Sequence, residues 1–197
     1  MATYKEIKGT QIQAVATDPS NPVEGQVWYN TTSNVLKGSK GALIASWSSV
    51  NSINNQRYYL AGAGTQTAAL GFGGRPPSGT PSGGNFSAQT ESWNGTNWTE
   101  VGNMNTVRDN LAACGIQTSA LAFGGETGPS TIVGLTEDWN GVSWTEVADT
   151  SQSAGRRGSA GTTSNALAIG GRSVTANISA TEEWSGSTNL TKTVSTD

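Results

Sequence analysis

Residues 121–141 read LAFGGETGPSTIVGLTEDWNG, and the same pattern occurs at two other places in the chain. Each copy contains an apolar run that ends in two glycines, then a variable stretch, then Thr-Glu-x-Trp. The glycine pairs are Gly73 and Gly74, Gly124 and Gly125, and Gly170 and Gly171, and the tryptophans are Trp93, Trp139 and Trp184. A repeat of roughly 46–51 residues that is rich in glycine and tryptophan predicts stacked β-sheets or propeller blades.

The middle copy shows how each unit divides into strands. Small residues and alternation predict strands over 110–115, 119–123, 136–139 and 142–147. Asn140 and Gly141 separate the last two, and Asn-Gly between alternating residues favours a two-residue hairpin with a type I′ turn. In the last strand, alternation places Trp144 and Glu146 on one face. Both faces are then partly apolar, which suits a sheet packed between neighbouring sheets.

A second set of tryptophans sets the phase of the units. Trp47, Trp98 and Trp144 follow the period of the glycine pairs. We therefore predict an N-terminal region over 1–46 and a repeat region over 47–197, with units at approximately 47–97, 98–143 and 144–197. The N-terminal region reads as a polar arm and linker followed by a β-hairpin over 25–37. The last copy departs from the pattern, because Asn189 stands where a second Trp is expected and 190–194 is its only candidate fourth strand.

Composition supports an all-β chain with an aromatic core. Of 197 residues, 34% are hydrophobic and 13% are charged, while 26 are glycine and seven are tryptophan. Threonine, serine, asparagine and glycine favour short strands joined by turns over long helices. Each tryptophan buries about 150–250 Å², so the tryptophans and the glycines that allow close packing are the predicted repeat core. These positions are Trp47, Trp93, Trp98, Trp139, Trp144, Trp184, Gly73, Gly74, Gly124, Gly125, Gly170 and Gly171.

Charge and hydropathy exclude several classes of partner. Eleven basic and fourteen acidic residues give a net charge of −3, and the longest basic cluster is the pair Arg156-Arg157. We expect no nucleic-acid binding, since that requires a basic surface that releases counterions. The sequence has neither a signal-peptide pattern at Met1 nor an apolar run of membrane-spanning length. It predicts a protein made in a cytoplasm and not inserted into a membrane.

The sequence lacks the residue patterns of common catalytic sites. The chain has no histidine, which excludes Ser-His, Cys-His and histidine-metal sites. Adjacent acids such as Glu137 and Asp138 point to opposite faces of a strand, and the glycine runs lack the Lys-Ser/Thr of a phosphate loop. We predict no enzyme, no cofactor and no metal. Glu91, Glu137 and Glu182 are interpreted as structural acids that bond backbone or pair with Arg57 or Arg108 of an adjacent unit; calcium between units is the alternative.

Two resemblances add to this interpretation. The apolar run, glycine pair and Trp resemble the kelch repeat over residues 47–197, which implies four-stranded blades of a partial or small β-propeller. The whole chain also resembles kelch-like structural proteins of tailed bacteriophages of the marine and cyanophage type. That likeness is carried by the opening residues 2–7 (ATYKEI), by residues 18–30 (DPSNPVEGQVWYN) and by residues 60–74 (LAGAGTQTAALGFGG).

The resemblance implies a function without catalytic residues. It implies a virion component, most often a tail fibre or tail-associated protein, that docks on other virion proteins through its N-terminal arm. Length varies only between the glycine pair and the Trp, which predicts loops on one face that binds. Candidate contacts with a host glycan or protein are Tyr58, Tyr59, Arg75 and Phe86.

Other interpretations remain open. A capsid decoration or baseplate cement protein is one alternative, and a glycan-binding or glycan-degrading propeller is an alternative of another class. Three units are few for a closed propeller of about four to eight blades. We therefore expect a homo-oligomer, with a trimer favoured if the protein is a fibre.

Overall fold

The computed structural model describes residues 12–23, 25–39, 47–78 and 85–186, and all of its regular structure is β-strand. The predicted all-β class is therefore confirmed. Contacts divide the chain into two compact units, Met1–Ser49 and Val50–Asp197. No helix in the described residues is long and apolar enough to cross a membrane.

The first unit contains a three-stranded sheet. Strand β2 (Val27–Asn30) pairs antiparallel with β3 (Val35–Gly38), as the sequence predicts for this hairpin. On its other side β2 pairs in parallel with β1 (Gln13–Val15). Strand β1 was not predicted: it is three residues long and lies in a segment interpreted as a polar arm and linker. The remaining arm residues, 1–11, lie outside the described part of the chain.

Asp18 holds this first unit together. Its carboxylate accepts hydrogen bonds from Trp28 Nε1 at 2.9 Å, Asn30 Nδ2 at 2.8 Å and Lys37 Nζ at 2.6 Å. These three donors, Lys37 foremost, lower the pKa of Asp18 to about 2. The loop after β1 is thereby bonded to both strands of the hairpin.

The second unit contains three antiparallel sheets, one for each copy of the repeat. Sheet 1 consists of β4 (Ala61–Thr65), β5 (Ala68–Phe72), β6 (Thr90–Trp93) and β7 (Trp98–Glu100). Sheet 2 consists of β8 (Ala112–Ile116), β9 (Ser119–Phe123), β12 (Thr136–Trp139) and β13 (Trp144–Val147), and a small hairpin of β10 (Glu126–Gly128) and β11 (Thr131–Ile132) lies in its variable loop. Sheet 3 consists of β14 (Gly158–Gly161), β15 (Asn165–Arg172) and β16 (Asn177–Ser185). The predicted fourth strand of this copy, 190–194, lies outside the described residues.

Sheets 1 and 2 each pair their strands in sequence order and pack on one another by unlike faces. On one face of sheet 2, Trp139 and Trp144 lie side by side with ring centroids 5.4 Å apart. This Trp face packs on the Leu70 and Phe72 face of sheet 1, where Phe72 meets Trp144 edge to face at 4.7 Å. Trp144 Nε1 also donates to Thr90 Oγ1 of sheet 1 at 3.0 Å. The apolar contact and the hydrogen bond together fix how the two sheets meet.

Sheet 3 repeats the arrangement against sheet 2. Ala166, Ala168 and Trp184 of sheet 3 pack on the opposite face of sheet 2, which carries Leu121 and Phe123. Every sheet thus has a Trp face and a Leu face: the Trp face of sheet 1 carries Trp93 and Trp98, and the Leu face of sheet 3 carries Leu167 and Ile169. Strand pairing places an acid beside the tryptophans on the Trp face, since Glu91 lies opposite Glu100 and Glu137 lies opposite Glu146.

The first Trp of each copy is anchored in the same way. Its indole Nε1 donates to the backbone carbonyl of the turn between the first two strands of its own sheet. The three bonds are Trp93 to Gln66 at 2.8 Å, Trp139 to Gln117 at 3.0 Å and Trp184 to Thr163 at 2.9 Å. Each ring therefore spans its sheet and satisfies its polar group while its body packs against apolar neighbours.

The glycine pairs lie where backbone segments of neighbouring sheets cross. Gly74 N donates to Arg108 O at 2.8 Å, and Gly125 N donates to Ala154 O at 3.0 Å. A Cβ on Gly125 would lie 2.7 Å from the carbonyl oxygen of Asp109, and its φ of +106° disfavours any other residue. At all four glycines of the first two pairs, a Cβ would lie within 3.0 Å of a backbone carbonyl oxygen, so no side chain fits there.

Three sequence predictions about the repeat are corrected by the structure. Trp47 is fully exposed at 103% and belongs to no strand, so it is not a core residue. Gly170 and Gly171 do not end a strand: β15 continues through them by a bulge. The hairpin at Asn140 forms, but not with a type I′ turn, because only Gly141 has a positive φ.

The hairpin turns instead use the asparagine side chain. Trp139 pairs with Trp144, which leaves a four-residue loop. Asn140 Oδ1 accepts hydrogen bonds from the backbone N–H groups of Val142 and Ser143, both at 2.9 Å. Asn94 does the same in sheet 1. Asparagine is therefore selected here as a side-chain acceptor for the turn.

Candidate binding surface

The four residues predicted as host contacts are brought together beside sheet 1. Tyr58 and Arg75 exchange two backbone hydrogen bonds, of 3.0 and 2.8 Å, just before β4 and just after the glycine pair. The rings of Tyr58 and Tyr59 meet edge to face with centroids 4.8 Å apart. Arg75 Cζ lies 4.3 Å from the centroid of the Phe86 ring. We call Tyr58, Tyr59, Arg75 and Phe86 the Tyr58 cluster.

A buried acid fixes the arginine of this cluster. Arg75 Nη2 lies 2.7 Å from Oδ2 of Asp109, which belongs to the segment entering sheet 2 and is removed from solvent. Burial raises the pKa of Asp109, and Arg75 opposes that shift. The guanidinium is held both by this carboxylate and by the Phe86 ring, and the Arg75 side chain is 24% exposed.

Tyr59 is the most exposed ring of the cluster and has an unusual backbone. It is 56% exposed and has a φ of +58°, in the left-handed region that bulky residues rarely adopt. The equivalent positions of the other copies, Asn110 and Arg156, share this conformation. Tyr59 O accepts from Asn110 N at 3.0 Å, and Asn110 O accepts from Arg156 N at 2.7 Å. The conformation is therefore imposed by a bond between neighbouring sheets.

The equivalent loops of the other copies carry charge in place of aromatic rings. Glu126 stands at the Arg75 position and pairs with Arg156 at 3.2 Å. Glu126, Arg156 and Arg172 line a shallow cleft of about 180 Å³. The aromatic character is thus specific to the first copy.

The glutamates of the three Thr-Glu-x-Trp strands, of which Glu91 and Glu137 are buried, are bound to structural partners. Each accepts two backbone N–H groups from the segment that enters its sheet and pairs with an arginine of that segment. The ion pairs are Arg57 with Glu91 at 3.1 Å, Arg108 with Glu137 at 2.8 Å and Arg157 with Glu182 at 2.9 Å. The amide donors are Asn54 and Asn55, Asn105 and Thr106, and Ser151 and Gln152.

This arrangement confirms the interpretation of the three acids and corrects its detail. Each arginine lies in the same predicted sequence unit as its glutamate, so the pairing is not between adjacent units. Burial lowers the pKa of Arg108, and the Glu137 charge opposes that shift. Burial raises the pKa of Glu182, but donors from Ser151 and Arg157 outweigh it and leave that pKa below its usual value. In the described part of the chain, no group of three acidic or cysteine side chains is placed to hold a metal ion.

Sequence reasoning missed the arginine of the third copy. Ala154 stands at the position of Arg57 and Arg108 in the third copy. Its backbone carbonyl accepts from Gly125 N, as the Arg108 carbonyl accepts from Gly74 N. Arg157, three residues later, stands at the position of Leu60 and Leu111 and reaches back to Glu182. The sequence signal that could have identified Arg157 is a paired change: the third copy loses the arginine at position 154 and gains one at position 157 of the same segment.

No family model matches the chain, and a search of the curated proteins found no match.

Proposed function

We propose that this chain is a non-enzymatic structural protein of a bacteriophage virion that acts in the tail as an adhesion protein and presents loops for host recognition. In this proposal the three sheets are kelch-like blades of a partial or small propeller. The unit Met1–Ser49 is the attachment side, which docks on other virion proteins. The phage assignment rests on the sequence resemblance, and the adhesive role rests on the Tyr58 cluster.

The observation that carries the adhesive role is the tyrosine at position 59. A bulky side chain in the left-handed region costs of order 1 kcal/mol, and Asn110 shows that the second copy uses a residue suited to this conformation. The third copy also has a bulky residue, Arg156, in this conformation, so the argument for contact rests on the exposure of the Tyr59 ring, 56%, next to Tyr58. Exposed aromatic rings beside a fixed guanidinium suit the apolar faces and hydroxyl groups of a glycan, and multivalency would strengthen weak single sites.

The test separates binding from stability. Tyr59→Asn is expected to leave the free energy of unfolding unchanged or raise it by up to about 1 kcal/mol, and to weaken binding to bacterial surface polysaccharides measured by biolayer interferometry. Val142→Ala, at an exposed side chain of a sheet 2 turn, is the matched control and should bind normally. Binding by Tyr59→Asn that equals the unsubstituted chain would contradict the role of this cluster.

Particles lacking the protein distinguish adhesion from the cement alternative. Intact particles that fail to adsorb support adhesion, while fragile particles support a decoration or baseplate protein. Release of oligosaccharides from the same polysaccharides would overturn the non-enzymatic assignment.

A further inference from the structure

The second unit has one outward Trp face and one outward Leu face, which are the two kinds of face that pack on each other between its sheets. Sheet 2 packs its Trp face on the Leu face of sheet 1, and sheet 3 packs its Trp face on the Leu face of sheet 2. This leaves the Trp face of sheet 1 at one end and the Leu face of sheet 3 at the other. Within the described residues of this unit, neither face is covered by a further sheet.

The exposed fractions of two residues show that the Trp face of sheet 1 lacks a packing partner among the described residues. Leu60 is 36% exposed, whereas its equivalent Leu111 is 8% exposed because it packs at the contact with sheet 1. Trp98 is only half-buried, whereas its equivalent Trp144 is buried against Phe72. Trp93 on the same face is only 5% exposed, so the part of the Trp face of sheet 1 that lacks a partner in the described chain is the surface at Leu60 and Trp98.

The Leu face of sheet 3 shows the reciprocal deficit. Ile169 is 42% exposed, whereas its equivalents Phe72 and Phe123 are almost fully buried. Thr181 is exposed, although its equivalent Thr90 is buried and accepts the Trp144 indole hydrogen bond. An apolar residue and a hydroxyl acceptor are thus present at this end with nothing packed on them in the described chain.

We infer that two copies of this chain associate head to tail, with the Trp face of sheet 1 in one copy packed on the Leu face of sheet 3 in the other. The occupant is a second copy because the chain itself shows twice how these faces fit. Two copies supply six sheets, within the four to eight usual for a closed ring, whereas three copies supply nine. If the head-to-tail contact closes after two copies, the Trp face of sheet 1 and the Leu face of sheet 3 are both covered in each copy.

The internal contacts specify which residues should meet. Gln117 Nε2 of sheet 2 donates to Ser92 Oγ of sheet 1 at 2.9 Å. The equivalent residues at the free ends are Gln66 and Glu183, both exposed. Gln66 of one copy would then donate to the carboxylate of Glu183 in the other, and Trp98 would donate to Thr181.

A sequence correspondence supports the same pairing. Trp47-Ser48-Ser49-Val50 matches the fourth-strand sequences that begin at Trp98 and Trp144. Among the described residues, β16 has no strand on its outer side. The exposed Trp47 segment of a second copy is therefore a candidate for the fourth-strand position beside β16, in addition to residues 190–194 of the same chain.

The first experiment measures mass by light scattering and sedimentation of the full chain. We expect about twice the 20.3 kDa of one chain. Ile169→Asp should reduce the mass to that of a monomer, because it buries a charge in the contact. Val174→Asp is the matched control: Val174 is an exposed apolar residue of the β15–β16 turn, and its replacement should leave the mass unchanged. A monomeric or trimeric unsubstituted chain, or an unchanged mass for Ile169→Asp, would overturn the inference.

A cysteine experiment tests the direction of the contact. Chains carrying Gln66→Cys are mixed with chains carrying Glu183→Cys and oxidised; the natural Cys114 is buried in both. We expect a disulfide-linked dimer in the mixture and none with either variant alone, since each position meets the other and not itself. A linked dimer of Gln66→Cys alone would show a symmetric contact and overturn the head-to-tail arrangement. The inference does not depend on the proposed virion function.

Discussion

Arg108 Nη2 lies 2.8 Å from Glu137 Oε1, and both side chains are removed from solvent. Arg108 Nη1 and the Glu137 oxygens are also engaged, whereas Arg108 Nε is buried without a hydrogen-bond partner among the described residues. Arg108 donates to Gly124 O and Leu135 O, and Glu137 accepts from the backbone N–H groups of Asn105 and Thr106. The pair therefore ties the segment that enters sheet 2 to the third strand of that sheet.

Replacing one partner of this buried pair should be strongly destabilising. Arg108→Met leaves the Glu137 carboxylate buried without its counter-charge, which costs about 3–5 kcal/mol. The free energy of unfolding from urea titration is the measurement. Arg172→Met, at an exposed arginine, is the control and should change it by less than about 0.5 kcal/mol. A loss below about 1 kcal/mol for Arg108→Met would show that the pair contributes little.

The displaced arginine of the third copy allows a rescue experiment. Arg157→Leu introduces the leucine of the other copies but removes the partner of Glu182, and we expect a loss of about 1–2 kcal/mol because Glu182 is 20% exposed. Adding Ala154→Arg places the guanidinium where Arg57 and Arg108 stand, and should recover part of the loss. Hydrogen exchange at the Ser151 and Gln152 amides, which bond Glu182, measures the local effect. A double variant no more stable than Arg157→Leu would show that the two positions are not equivalent.

The glycine pairs should resist even alanine. In Gly125→Ala, a positive φ and a Cβ 2.7 Å from the Asp109 carbonyl oxygen combine, so we expect a loss of about 1–3 kcal/mol. Gly158→Ala is the control, since its φ is ordinary and its nearest neighbour would be 3.5 Å away at Ile169. Thermal unfolding of the two variants compares them directly. Equal melting temperatures would refute the close-approach explanation.

The Asp18 site predicts an acid sensitivity of the first unit. Its folded pKa of about 2 lies below the ordinary value of 3.8. The ionised carboxylate therefore contributes stability above about pH 4, and this contribution is lost as the pH falls towards 2. Hydrogen exchange of the β2 amides should accelerate in that window, and Asp18→Asn should remove the dependence while leaving the sheet 2 amides unaffected. Acceleration at the same pH in Asp18→Asn would assign the effect to another group.

The repeat strands could be predicted because their signals are local and recur. The strands from Ser119 to Phe123 and from Thr136 to Trp139 agree with the sequence to the residue. The pairing of arginine with the Glu137 position was also predictable, because a buried acid in every copy needs a partner. The candidate contacts Tyr58 and Arg75 were foreseen as loop residues, but their adjacency follows from a strand-like bridge that no local pattern encodes.

The failures have physical causes of their own. Strand β1 depends on a parallel partner distant in sequence, and three residues carry no periodic signal. Trp47 has the right spacing for a core position, yet spacing cannot say whether a neighbouring sheet exists to bury it. The turn at Asn140 was predicted from the preference of Asn-Gly for left-handed backbone, whereas the asparagine acts through its side-chain oxygen.

The acids on the Trp faces have a consequence for misassembly. Glu91 and Glu100 flank the tryptophans of sheet 1, and Glu137 and Glu146 flank those of sheet 2. If two Trp faces of sheet 1 met, the exposed Glu100 carboxylates of both copies would be brought together, since only Glu91 is neutralised by Arg57; a Leu face instead presents threonine hydroxyls that accept an indole hydrogen bond. The stack consequently has a polarity, and mirror-like pairings of equal ends are disfavoured by charge even where their apolar surfaces would fit.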